Sequence, residues 1–237
     1  MHFRSGVSAR LKIWSQLGRS SDSMTAEEKA ERNLVAIDSL KGHEQTDPLH
    51  LEKLKKEILK DGHQRDPIVV DVRTNVILDG HHRSEIFRSM GLAKIAAHMV
   101  DYSDPGIQVR SWYPTFNAEP KLVANTVGLR LEGDPQGGGS GITLTWAGGT
   151  REIPGDRARI MGALVGRFPI VYVEDQVQAE NMISSGRAKA FLAMPPVRKE
   201  DVIRCALSGN KLPPKTTRHI FPRRPLPVLV PLGELSH

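Results

Sequence analysis

The apolar run Val76, Ile77 and Leu78 stops at Asp79 and is followed by Gly80, His81, His82 and Arg83. A strand that ends in a glycine turn and passes directly into a helix presents the helix's first N–H groups unpaired, and such a terminus attracts anions. Arg83 adds a planar, permanently charged donor fork, which favours phosphate or carboxylate over a neutral ligand. His81 and His82 add imidazoles to the same cradle. Asp79, at the strand end, is placed to act on a metal ion or on an acceptor group.

Phosphoryl transfer requires a phosphate cradle, a divalent metal, a base near the attacking oxygen and a pocket that orients the acceptor. Glu44, in a polar turn between two predicted elements, is a candidate base. It is equally a candidate N-terminal cap for a helix that starts at Pro48, and spacing leaves both roles open. Near the end of the chain, residues 212–225 are too rich in proline for a regular element. They nevertheless concentrate Thr216, Thr217, Arg218 and His219 with two further arginines, Arg223 and Arg224. Loops of this kind on a rigid scaffold commonly hold ligands. Trp112 reads from its size as a core residue.

Other chemistries are set aside. The chain has no Walker loop, no dinucleotide glycine fingerprint and no protein-kinase signatures. The glycine-rich stretch 133–141 lacks a Gly-Lys-Ser/Thr ending and does not lead into a helix, so it reads as a hairpin tip. A zinc site on His43, His81 and His82 is disfavoured, because adjacent histidines diverge and no further ligand follows at helical spacing. The single Cys205 rules out an intramolecular disulfide.

The elements that must position these groups alternate. A strand over residues 34–37 precedes the polar turn. Leu51, Leu54, Ile58 and Leu59 then recur at helical spacing, with lysines on the other face, and Asp61-Gly62 ends that helix. Residues 67–72 and 75–78 are β-branched runs joined at Arg73-Thr74, the mark of a hairpin. A helix over residues 83–89, a strand over 94–101 and one extended segment over 107–114 follow. Beyond Pro120 the sequence predicts a helix over 121–130, strands over 142–146 and 150–153, and a short helix over 156–164. A βαβα run over residues 170–207 then implies parallel or mixed sheet packing.

At 237 residues and 39% hydrophobic content the chain can bury a core as one large or two small domains. A net charge of +6 and a pI near 9.5 suit nucleic acid or phosphorylated small molecules alike. No apolar run is long enough to cross a bilayer, and the first residues lack a secretory apolar block, so a cytoplasmic location is expected.

The residues 78–83 resemble the signature of the ParB/sulfiredoxin-like superfamily, whose members place nucleotide phosphates at this turn. Four blocks together resemble the archaeal ADP-dependent free serine kinases. They are Gly42-His43-Glu44-Gln45, the turn at Asp79 to Arg83, Ser111-Trp112-Tyr113-Pro114, and Pro214-Lys215-Thr216-Thr217-Arg218-His219. The resemblance implies that ADP with Mg2+ donates its β-phosphate to the hydroxyl of L-serine, giving O-phosphoserine and AMP, an entry to cysteine synthesis. It implies that Glu44 is the base, that Trp112 belongs to the active site, and that the segment from Thr216 to His219 binds the serine or phosphoserine end. Bacterial relatives that use ATP keep that nucleotide as an alternative donor. The N-terminal extension and the glycine-rich insertion have no counterpart in the pattern.

The expected architecture is therefore α/β (α+β), with a polar extension over residues 1–32. A ParB-like nucleotide-binding lobe spans 33–118 and a second α/β lobe spans 119–237, with the active site in the cleft between them. In this reading Asp79 assists at the acceptor or metal, and Gly80 to Arg83 hold the phosphates. The competing class is a ParB-like nucleotide switch that binds DNA, which predicts a helix-turn-helix downstream of the turn where the sequence reads βαβα.

Overall fold

The structure is a computed structural model that describes residues 33–132 and 139–236. The polar extension and most of the glycine-rich stretch fall outside these residues.

Successive side chains of a strand point to opposite faces. In β4 (Ile68–Asp71) and β5 (Val76–Asp79), Ile68, Val70 and Ile77 enter one core while Val69, Val76 and Leu78 enter another. Both faces of this hairpin are covered, which is why its sequence is continuously apolar. The hairpin lies within a five-stranded mixed sheet ordered β1-β6-β4-β5-β2, with β1 at Asn33–Ala36, β6 at Lys94–Val100 and β2 at Lys41–Gly42. β4 runs parallel to β6, and β2 parallel to β5.

One face of the sheet is covered by α1 (Pro48–Asp61) and α2 (His81–Ser89). Asp47 caps α1 by accepting the Leu49 N–H at 2.9 Å, and Gly62 ends it in a left-handed conformation. Leu51, Leu54 and Ile58 pack inward as the spacing predicts, but Leu59 is exposed. The other face is covered by α6 (Lys199–Ser208), whose Val202 and Ala206 pack with Val69 and Leu78. Each buried Val or Leu side chain among these contributes about 1.5–3 kcal/mol.

The second lobe is built on a sheet ordered β10-β9-β12-β8-β11, at Gly149–Glu152, Thr143–Trp146, Ala190–Ala193, Tyr113–Phe116 and Ile170–Val173. Every pairing in it is antiparallel. The parallel or mixed packing expected from the βαβα run is therefore corrected. β11 and β12 flank β8 instead of pairing with each other, and α5 (Gln176–Ser184) connects them across it. The helices α3 (Pro120–Thr126) and α4 (Arg157–Leu164) complete the lobe around Phe116, Leu144 and Leu192. α3 is shorter than predicted because the chain turns at Gly128, where φ is +76°.

Three further departures concern how the lobes are joined. The extended segment at residues 107–114 divides into β7 (Gln108–Arg110) and β8, so the chain crosses between lobes at Ser111 and Trp112, ahead of residue 118. The proline-rich segment does form a short strand, β13 (Arg218–Ile220), antiparallel to β7. Beyond it, β14 (Val230–Pro231) pairs with β3 (His63–Gln64), and Leu235 is buried in the first lobe's core. Residues 199–236 thus return to the first lobe.

At the hinge between β5 and α2, Gly80 adopts φ +98°, and an added Cβ would lie 2.4 Å from Ile68 Cγ2. Replacing Gly80 with Ala combines a left-handed conformation with a clash in the core. It is expected to destabilise the protein by about 3 kcal/mol, read as a lowered denaturant midpoint. An unchanged midpoint would contradict this account of the turn.

Candidate functional site

Glu44 follows β2 and is almost fully buried, 9% exposed. Its Oε1 accepts the Thr217 N–H at 2.5 Å and the Thr217 hydroxyl at 2.6 Å, and its Oε2 accepts the Lys215 N–H at 3.2 Å. Lys215 is one of two non-glycine residues with positive φ among the described residues, at +59°. Such backbone is strained and persists when its surroundings fix it. The loop is anchored by the Leu212 N–H on the His43 carbonyl at 2.8 Å and the Gln45 N–H on the Leu212 carbonyl at 2.9 Å. Since Asp47 caps α1, Glu44 is left free of the capping role. Burial pushes its carboxyl pKa upward, against the Thr217 hydrogen bonds and the nearby Lys215 charge.

His43 is completely buried behind Glu44. Its Nδ1 lies 2.9 Å from the Ile77 carbonyl and therefore carries the hydrogen, while its Nε2 faces Thr217 Oγ1 at 2.8 Å. Burial lowers its pKa to about 4.

The two histidines of the turn brace the Glu44 segment at both ends. His81 Nε2 accepts the N–H of His43 at 3.2 Å, and His82 Nε2 accepts the N–H of Asp47 at 3.0 Å. The expectation that both imidazoles serve phosphate is corrected at these nitrogens, which face backbone donors of the chain itself. Both rings are held neutral. The pKa of His82 is lowered to about 4 by burial and then by His50 and Lys215, and burial also holds that of His81 well below the ordinary imidazole value. Arg83 sends Nη1 to the carbonyls of Asp66 and Pro67, both at 2.7 Å, and Nη2 to Asp79 at 3.2 Å. Its fork thus ties the turn to the start of β4. Asp79 itself has a mostly exposed side chain. Within α2, the N–H groups of His81, His82 and Arg83 precede the first helical hydrogen bond, from the Ser84 N–H to the Gly80 carbonyl at 3.0 Å.

The downstream candidates divide into groups inside and beside this arrangement. Trp112 donates Nε1–H to the Thr217 carbonyl at 3.0 Å, and its ring lies under Lys215 Nζ, 4.9 Å from the centroid, and near the Arg218 guanidinium at 5.6 Å. Arg218 also pairs with Glu174. His219 is half-buried, with Nε2 2.8 Å from the Tyr102 hydroxyl, and its burial in this cluster lowers its pKa to about 3. Thr216 differs from expectation. Its hydroxyl donates to the Pro213 carbonyl at 2.8 Å and it is 2% exposed, so the hydroxyl shapes the loop.

Sequence reasoning missed Arg157. This guanidinium donates to the Thr216 carbonyl at 3.0 Å and to the Pro195 carbonyl, clamping the loop to the second lobe. Burial lowers its pKa and the Glu44 charge opposes that shift. An arginine in the first turn of a predicted helix carries no signal of such a role.

Most of these groups, but not His43, Thr216 or Arg157, line a cavity of about 450 Å³. Its wall includes Glu44, Asp79, Gly80, Lys215, Thr217 and Arg224. Leu54, Val69, Ile220 and Phe221 supply apolar surface. The dimensions suit a nucleotide-sized ligand. Among the described residues no three or more His, Cys, Asp or Glu side chains converge to hold a metal by themselves. No helix of the described residues is long and apolar enough to cross a membrane. After β6 each successive helix among these residues is separated from the next by at least one strand, unlike the helix-turn-helix that the DNA-binding alternative predicts.

No family model matches the chain. An ATP-dependent L-serine kinase of Staphylothermus marinus is 25% identical over 228 residues, covering 86% of this chain and 90% of the relative. A ParB-like protein of Sulfolobus acidocaldarius is 28% identical over 188 residues, 70% of this chain and 78% of the relative. An ADP-dependent L-serine kinase of Thermococcus kodakarensis is 24% identical over 227 residues, 87% and 94% of the two chains. The solved structure of a free serine kinase in complex with AMP superposes with a TM-score of 0.77 at 23% identity, covering 86% of this chain and 93% of that one. The expected mixed α/β architecture, shared with serine kinase and ParB-like neighbours, is borne out.

His43, His82 and His219 stay neutral in the folded chain down to about pH 4, 4 and 3, against an ordinary value of 6.5. Their folded values are depressed, so the unfolded chain binds protons first as pH falls. The stability they provide is complete above pH 6.5 and is lost on descending towards pH 4. The denaturant midpoint is expected to fall through that window, and a flat profile would contradict neutral burial of these rings.

Proposed function

We propose that this protein is a kinase that phosphorylates the hydroxyl of free L-serine, giving O-phospho-L-serine. The observation that carries the reading is the buried Glu44 carboxylate. Donors of one loop fix it at the wall of a nucleotide-sized cavity that also contains the open end of α2. A carboxylate in that position, with its proton affinity raised by burial, suits the removal of a proton from an attacking hydroxyl. The similarity to serine kinases over most of both chains supports the same substrate.

In this mechanism the N–H groups of His81, His82 and Arg83, with the positive end of the α2 dipole, hold the donor's phosphates. Lys215 and Arg218, gathered on the Trp112 ring, supply positive charge to the transferring group or to the substrate carboxylate. Trp112 acts as a positioning residue, since its indole fixes the Thr217 carbonyl and thereby the donors that hold Glu44. Glu44 accepts the proton as the serine oxygen attacks in line, while the bond to the leaving nucleotide breaks. Asp79, an exposed carboxylate beside the phosphate cradle that also pairs with Arg83, would hold Mg2+, which usually keeps water and phosphate oxygens as its other ligands. When bound, that ion neutralises charge on the phosphates.

The four sequence blocks favour ADP as donor, with AMP as product, while the Staphylothermus marinus relative is described as ATP-dependent. Incubation of the purified protein with serine, Mg2+ and either nucleotide is expected to yield O-phosphoserine, detected by phosphorus NMR. Product with ADP supports that donor, and product with ATP alone would replace it. No product with either nucleotide would overturn the kinase reading.

A further inference from the structure

Thr217 Oγ1 stands between two acceptors, 2.6 Å from Glu44 Oε1 and 2.8 Å from His43 Nε2. A hydroxyl has one hydrogen to give. His43 cannot resolve the conflict by supplying its own, because its Nδ1 hydrogen is committed to the Ile77 carbonyl at 2.9 Å and a neutral imidazole carries only one. With Glu44 ionised and His43 neutral, two buried acceptors therefore compete for a single proton: when it goes to Glu44, His43 Nε2 is left unsatisfied, and when it goes to His43, the carboxylate keeps only its bonds from the Thr217 and Lys215 N–H groups. An unsatisfied buried acceptor is costly, and more so in a site of low dielectric.

We propose that His43 strengthens Glu44 as a base by competing for the hydroxyl proton of Thr217. The inference rests on the kinase reading and gives His43 and Thr217 positioning roles within it, whereas the resemblance assigned Thr217 to the substrate. When the serine O–H bond breaks, its proton passes to the Glu44 carboxylate. Oε2 is the better placed oxygen, since it holds only the longer bond from the Lys215 N–H. Neutral Glu44 then has a weaker claim on the Thr217 hydroxyl, which rotates to donate to His43 Nε2. No other proton is gained or lost. Proton uptake by Glu44 therefore relieves the conflict, and that relief adds to the driving force for removing the proton from serine.

Other groups surround the pair. His81 at the start of α2 and His219 on β13 stack edge-on against His43, at ring separations of 4.4 and 5.7 Å. Lys215 in the loop, Arg157 on α4 and Tyr172 on β11 interact electrostatically with Glu44. All of them remain in the variants below, so they set the starting value and not the difference between variants.

Single substitutions separate competition from simple support. Thr217→Val removes the hydroxyl donor from the carboxylate and should raise the Glu44 pKa. His43→Asn retains a donor able to reach the Ile77 carbonyl but has no acceptor at the Nε2 position. It frees the Thr217 proton for Glu44 and should lower the Glu44 pKa. Each shift is expected to be about one pH unit, the scale of one hydrogen bond to a charged group. Thr217→Ser and His43→Gln, which restore the hydroxyl and the distal acceptor, should stay near the wild type.

Carboxyl carbon NMR of the glutamate-labelled protein, assigned with Glu44→Gln, reads the titration directly. The acid limb of kcat/KM should shift in parallel. Should His43→Asn fail to fold, the ring nitrogen signal of His43 Nε2 in the wild type should move as Glu44 titrates and should lose that response in Thr217→Val. Shifts of the same sign in Thr217→Val and His43→Asn, no shift in either, or a His43 signal indifferent to Glu44 would overturn the proposal. The NMR titration does not require turnover. An inactive wild type with opposite shifts would therefore sink the kinase reading alone, and an active wild type without them would sink only the competition.

Discussion

The contact on which the rest of this structure depends is the one between the Glu44 carboxylate and the backbone and hydroxyl of Thr217, residues 173 positions apart. A buried carboxylate without donors would neutralise itself or unfold the site. Here two backbone N–H groups and a hydroxyl take the place of water, and they come from a loop whose own shape is unusual. Lys215 occupies the left-handed region, the Thr216 hydroxyl closes the turn on Pro213, and Arg157 and Trp112 hold the carbonyls of Thr216 and Thr217. The loop is thereby pinned from the first lobe by Glu44 and from the second by Arg157. The segment that completes the site also joins the lobes.

That arrangement explains the exchange of chain between lobes. β13 pairs with β7 directly before the crossing at Ser111, and α6 lies on the first sheet although it follows the second. The positions of Trp112 and Thr217 on adjoining segments follow from this pairing, and so does the short reach from the indole to the loop. A cavity built in this way has few independent moving parts. Small displacements of β7 or β13 would be felt at Glu44 through one or two bonds.

Local features were legible in the sequence. The β4–β5 hairpin, the start of α1 at Pro48 and the glycine turn into α2 all follow from patterns that depend on neighbouring residues. The antiparallel second sheet was not legible, because the βαβα run is equally consistent with two strands that pair and with two that flank a third, and β8 comes from far upstream. Glu44 illustrates the same limit. Nothing within its own segment distinguishes a cap from a base until Asp47 is seen to take the cap and Thr217 to arrive from the other end of the chain. The two histidines of the turn looked like anion donors because their neighbours are cationic and polar. Their Nε2 atoms instead accept N–H groups from the Glu44 segment, a contact set by tertiary approach. Their neutrality leaves the turn less positive than its composition suggested.

The central claim is that Glu44 takes the proton from the attacking hydroxyl without holding the nucleotide. It is tested most directly by comparing nucleotide affinity, measured by calorimetry, with turnover of serine in Glu44→Gln. Glutamine preserves an oxygen for the Thr217 donors, so affinity should remain close to the wild type while turnover falls by roughly 10²-fold or more. Turnover close to the wild type, or a loss explained wholly by weaker nucleotide binding, would contradict the account.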